Sequence, residues 1–104
     1  MDDFEKQAAQ ALEAINRKID ASGLDCDVEQ KGDGVIDILL ANATHVIVNR
    51  HSAAQEIWVA AKSGGYHFRF QGGRWLNTRD GEELFAALSR CLSEQAGEPV
   101  QLRP

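Results

Sequence analysis

With 104 residues, 43% of them hydrophobic and 26% charged, the chain has material for one modest core and not for two. No apolar run approaches the roughly 20 residues of a membrane helix, and a net charge of −5 sets the chain against nucleic acid and anionic membrane. The charge is one-sided: ten of the sixteen carboxylates fall within residues 1–37, where the bases are only Lys6, Arg17, Lys18 and Lys31.

Such a field attracts cations or a basic protein surface, and the plainer reading is an exposed helix whose acids solvate it. The opening Met-Asp-Asp-Phe-Glu-Lys lacks the basic and then apolar regions of a secretory signal, so a cytoplasmic protein is expected. Cys26 and Cys91 form no C-x-x-C, and each occupies an apolar periodic position; two reduced thiols are expected rather than a disulfide or a zinc site.

A helix is predicted over 3–21, where Phe4, Ala8, Ala11, Leu12, Ile15 and Ile19 recur at three- and four-residue steps. Asp2 or Asp3 can cap it, and Ser22-Gly23 ends it. At about 100° per residue, Asp2, Glu13 and Asp20 project within ~20° of one another on the solvent side. From Leu24 the period changes to two: Leu24, Cys26 and Val28 alternate with Asp25, Asp27 and Glu29, giving one apolar and one acidic face.

After a turn at Lys31-Gly32-Asp33-Gly34, a second strand runs from Val35 to Leu40 with Asp37 outward. A third covers 45–49, a fourth 56–61, a fifth 65–71 and a sixth 74–77. The last helix is predicted over 81–96, with Asp80-Gly81-Glu82-Glu83 read as a capping box and Gly97 as its stop. Residues 97–104 are read as a surface tail.

Short connections between consecutive strands imply an antiparallel meander, and two amphipathic helices are available to cover one of its faces. The expected architecture is α+β, a two-layer sandwich in a single domain spanning 1–104. Its other sheet face meets water. Side-chain parity places Trp58 on that wet face beside Glu56, with His45 and Asn49 outward on the neighbouring strand. Asn49, Trp58 and His67 can then share one patch, and an outward tryptophan marks an interface.

The stretch Val46-Ile-Val-Asn-Arg-His, with Ile57-Trp58-Val59-Ala60, Ser63-Gly-Gly-Tyr-His-Phe68, Trp75 and Asp80-Gly81, resembles bacterial frataxin, the CyaY family. The resemblance implies iron binding through an acidic ridge and a role in iron–sulfur cluster assembly through contact with the cysteine desulfurase. Carried over position by position, the metal-binding ridge is Asp20, Asp25, Asp27 and Glu29, with Glu13 and Asp37 peripheral. The partner-facing residues are Asn49 and Trp58, with Glu56 beside them. The chain departs from the family in carrying Asn16-Arg17-Lys18 where consecutive acids are usual, and Glu56 where glutamine is usual. Arg69 stands where an acid often follows Tyr-His-Phe. The implied ridge is thinner.

Carboxylates and water suit iron in both its Fe2+ and Fe3+ forms when no thiolate or imidazole cluster is offered. Residues two apart on a strand face sit ~6.5–7 Å apart, so Asp25, Asp27 and Glu29 cannot enclose one ion. Weak, open, hydrated sites are expected, for which other divalent and trivalent cations compete. His45, His51 and His67 are read as lying on separate elements, without a metal triad among them. No EF-hand loop, nucleophile elbow or phosphate loop is present in the sequence.

The leading expectation is a non-catalytic regulator, monomeric without metal, that docks by its acids on the desulfurase and can also contact the cluster scaffold protein. The competing ones are an iron chaperone or ferroxidase-type storage protein, and an acidic adaptor without physiological metal.

Overall fold

Period-two alternation in the middle of the chain becomes six strands, and the two amphipathic stretches become helices covering one side of them. The structure is a computed structural model and describes residues 3–102. The proposed cap at Asp2 lies outside the described residues.

Helix α1 (Asp3–Ser22) buries the predicted stripe, from Phe4 through Ile15 to Ile19. It ends where the Ser22 hydroxyl donates to the Ile19 carbonyl at 2.6 Å and accepts from the Leu24 N–H at 3.2 Å. Gly23, at φ +77°, supplies the left-handed turn out of the helix.

Strands β1 (Cys26–Gln30), β2 (Val35–Leu40), β3 (His45–His51), β4 (Glu56–Ala61), β5 (Gly64–Gln71) and β6 (Arg74–Asn77) are neighbours in space in the order of sequence. Every neighbouring pair is antiparallel. Ile36, Ile38, Val46, Val48, Ile57, Val59 and Phe68 fill the covered face and are all but inaccessible. These β-branched and aromatic side chains suit a pleated surface buried against helices.

Two expectations about the C-terminal part are corrected. Helix α2 (Leu84–Ala96) starts three residues later than predicted, because Glu83 is the cap: its carboxylate accepts from the N–H groups of Phe85 and Ala86. Asp80 instead accepts from the Glu82 N–H at 3.0 Å, a turn that Gly81 completes at φ +80°. Residues 98–102 are no loose end either. Val100 is 8% exposed and Leu102 3% exposed, and both belong to the core. Ser93 and Ser89 of α2 receive their backbone: the Val100 N–H donates to Ser93 Oγ and the Leu102 N–H to Ser89 Oγ, each at 2.8 Å. Cys26 and Cys91 are free thiols.

One turn carries a tight fit. The Arg50 N–H donates to the Gly34 carbonyl at 2.7 Å, and its guanidinium bonds Asp33 at 2.9 Å. Arg50 Nε also stands 3.3 Å from the Glu5 carboxylate in α1, off the line of a hydrogen bond but within ion-pair reach. Gly34 sits at φ +82°, and a β-carbon there would come within 3.0 Å of the pinned guanidinium. Gly34→Ala therefore meets both left-handed strain and a neighbour that cannot yield without losing Glu5 or Asp33. A stability loss of about 2 kcal/mol is expected, read as a lower urea midpoint with an unchanged m-value.

Candidate functional site

The sequence-predicted acids divide into two groups. Glu13 and Asp20 are exposed on α1, Asp25 precedes β1, and Asp27 and Glu29 are exposed along it. Among the described residues, no lysine, arginine or histidine lies within ion-pair distance of Glu13, Asp20, Asp25 or Asp27. Their charge stays uncompensated at close range. Glu29 is partly answered by Lys31 at 3.7 Å.

Asp37, expected as a peripheral ligand, is engaged within the sheet. It faces outward as predicted but is 7% exposed, held by His45 Nδ1 at 2.7 Å and Lys31 Nζ at 3.6 Å. The bond from His45, aided by the charge of Lys31, lowers its pKa against the cost of burial.

Between α1 and β1 opens a groove of about 530 Å³ lined by Ile19, Leu24, Cys26 and Val28, with Asn16, Arg17, Asp20 and Asp27 also on its walls. Asp25 lines a smaller neighbouring cleft together with Glu98, an acid of the segment expected to be a surface tail. Burial raises the Cys26 thiol pKa, and Asp27 and Asp25 raise it further, so the group stays protonated and offers no thiolate. Among the described residues, no three His, Cys, Asp or Glu side chains converge as a ligand set for one ion. The donors present are hard, exposed oxygens set apart from one another. They fit a hydrated cation held by one or two carboxylates and the surrounding field.

The wet face of the sheet is organised around Trp58. It pairs in register with Asn49 on β3 and His67 on β5, so the predicted patch forms. Two imidazoles sandwich the indole: the His51 ring lies 3.8 Å from it at 15°, and the His67 ring 4.4 Å away at 11°. The expectation that the three histidines lie on separate elements is corrected, since β3 extends to His51 and carries His45 as well. The parity that placed Asn49 outward also places His51 outward, two residues on, so the signal was available.

Glu56 is the other correction on this face. Expected as an exposed partner contact, it is 7% exposed and lies beneath the stack. Its carboxylate accepts from Trp58 Nε1 at 2.8 Å and from the Arg69 guanidinium at 2.9 Å, with His67 Nδ1 at 3.7 Å. The Trp58 bond, with help from Arg69 and His67, lowers its pKa against the opposing cost of burial. Glu56 positions the tryptophan.

Asp27 and Glu29 look out from the same sheet face as Trp58, three strands across and two to four residues along, which is roughly 16–20 Å at normal strand spacing. One partner surface can reach both.

A frataxin-like domain model matches residues 1–98. The iron–sulfur cluster assembly protein CyaY of Dechloromonas aromatica is 49% identical over 105 positions, covering 99% of this chain and 100% of that protein. Frataxin from Psychromonas ingrahamii has a closely similar structure, with a TM-score of 0.87 at 31% identity over 97% of this chain and 95% of that one. Trimeric frataxin from the yeast Saccharomyces cerevisiae, complexed with ferrous iron, gives a TM-score of 0.69 at 20% identity, covering 94% of this chain and 88% of that one. At that identity the likeness concerns the fold.

Proposed function

The chain belongs to the frataxin-like family and to its iron–sulfur cluster assembly role, and from that premise we propose a non-catalytic regulator that docks on the cysteine desulfurase. The observation that carries this reading is that Asp20 and Asp27 line one groove and Asp25 the cleft beside it, with no base of the described chain within ion-pair distance of any of the three. That acidic border steers a basic groove into place, while Trp58 and Asn49 supply a flat, neutral contact on the adjoining face.

Iron is cargo or signal here, not a resident centre. Asp20, Asp25 and Asp27, with Glu13 and Glu29 at the margins, hold it loosely as a hydrated ion. An ion on these carboxylates reduces the field that attracts the desulfurase, so metal and partner weaken each other's binding reciprocally. Other divalent and trivalent cations act in the same way.

The test is the affinity for purified cysteine desulfurase at two ionic strengths, with the Asp25→Asn/Asp27→Asn protein alongside. Loss of two uncompensated charges is expected to weaken docking about tenfold at low salt and to flatten its salt dependence. Equal affinity of the two proteins, or binding indifferent to salt, overturns the docking role of the border.

A further inference from the structure

The two edges of the sheet are unequal. The outer side of β6 is partly covered, because Leu76 bridges to Glu83 and the Asn77 N–H donates to the Glu82 carbonyl at 2.8 Å. β1 has nothing comparable. It pairs with β2 on one side, and no other backbone bond reaches Cys26, Val28 or Gln30 among the described residues.

Hydrogen-bond alternation shows which groups are left open. The Lys31 N–H donates to the Val35 carbonyl at 2.9 Å, marking 31 and 35 as a bonded pair. In an antiparallel ladder bonded pairs recur at every second residue, so 29 with 37 and 27 with 39 are bonded. The Arg50 bond to Gly34 agrees, since it commits Ile36 and Ile38 to β3 and leaves Asp37 and Leu39 for β1. Cys26, Val28 and Gln30 therefore turn their N–H and C=O groups away from the sheet.

The side chains along this open edge are as particular as its backbone. Val28 is the exposed large hydrophobic residue of the described chain, at 40%, and it pairs with core-facing Ile38. It thus stands on the covered side, at the mouth of the groove whose apolar wall is Ile19, Leu24 and Cys26 and whose α1 rim carries Asn16 and Arg17. On the opposite side of the same strand stand Asp27 and Glu29.

We propose that β1 is a strand-addition site for an extended segment of a partner protein in which apolar and basic residues alternate. The segment's backbone pairs with Val28 and its neighbours, its apolar side chains enter the groove under α1, and its basic ones face Asp27 and Glu29. A second copy of this chain is a poor occupant. Two antiparallel β1 strands centred on Val28 would set Asp27 directly against Glu29 at both ends.

The inference rests on reading this border as a docking surface and adds backbone pairing to the attraction between charges. The probe is a seven-residue peptide alternating lysine and valine, blocked at both ends and titrated against the whole protein by backbone NMR. Two controls have the same charge: one is N-methylated at alternate backbone nitrogens, the other has its lysines grouped at one end. Val28→Pro gives the complementary variant, since it removes an outward N–H and leaves the bonds to β2 and the net charge untouched.

The alternating peptide is expected to protect the Val28 and Gln30 amides from exchange, and to bind at least tenfold more tightly than either control. Val28→Pro should lose that preference. Equal binding of all three peptides overturns strand addition while leaving charge-driven docking intact. Loss of binding in Asp25→Asn/Asp27→Asn together with full binding to Val28→Pro overturns it equally from the protein side.

Discussion

Ending the chain after Glu98 is expected to remove about 4 kcal/mol of stability, since full burial of a valine or leucine contributes roughly 1.5–3 kcal/mol. Val100 and Leu102 are both lost, and both are buried members of the core. In a domain of this size that is a large fraction of the total, and a melting temperature lower by ~15–25 °C should result. The serines separate burial from hydrogen bonding. Ser89 Oγ donates to the Phe85 and Leu102 carbonyls, and Ser93 Oγ to the Val100 carbonyl, so the double Ser→Ala variant loses the bonds and keeps the apolar contacts. It should cost only ~2 kcal/mol. A truncated protein that melts with the full chain would show the tail to be passive.

That tail marks the limit of what periodicity can disclose. α1 and the strands were legible because apolar residues recur along them at the helix or the strand period, over enough turns to leave one assignment. Val100 and Leu102 also alternate, but two residues make no pattern, and Gly97 and Pro99 before them signal an ending. Their partners are hydroxyls of α2 instead of another strand, a pairing that no spacing rule anticipates. The start of α2 was misplaced for a related reason. Asp80 and Glu83 both have capping chemistry, and only the left-handed Gly81 decides that the chain turns once before the helix begins.

The candidate site was legible in its directions and not in its pairings. Parity correctly sent Trp58, Asn49, His45 and Asp37 to the wet face. Whether an outward carboxylate is free depends on neighbours brought from other strands. Lys31 and His45 reach Asp37 across the β1–β2 turn and from β3, whereas Asp25 and Asp27 at the edge have no third strand to supply a base. The sheet edge therefore decides which acids remain available, and a linear sequence carries that only through the full topology. The open edge that leaves Asp27 uncompensated is also the one that leaves Val28 unpaired, so both features follow from β1 being the terminal strand of a meander.

Replacing Glu56 by alanine is expected to cost about 2 kcal/mol, because the half-buried Trp58 indole N–H and the exposed Arg69 guanidinium would lose one buried acceptor at once. Trp58 Nε1 and Arg69 are bonded to it directly, and His67 stands close enough to respond. Glu56→Gln separates charge from hydrogen bonding. The amide oxygen still accepts from Trp58, so the loss at neutral pH should be ~1 kcal/mol. The two variants part company in acid.

A carboxylate whose folded pKa lies below its unfolded value contributes stability that is fully present above the unfolded value, and that contribution disappears as pH falls through the folded one. Glu56 is shifted in that direction, first by the Trp58 bond and then by Arg69. The wild-type protein should therefore lose stability progressively below the ordinary glutamate range, and Glu56→Gln should lose less over the same interval. Asp37, lowered chiefly by its bond to His45, contributes a parallel loss that the glutamine leaves in place. Urea midpoints across the acid range measure the difference, and coincident pH profiles for the two proteins would show that Glu56 contributes nothing to acid unfolding.

Function should follow the same bond. An indole released from Glu56 no longer lies locked between His51 and His67, so on the proposed docking role Glu56→Ala should weaken binding of the desulfurase, with the salt dependence assigned to Asp25 and Asp27 unchanged. Tight docking by a stably folded Glu56→Ala protein would mean that the partner itself orders the ring.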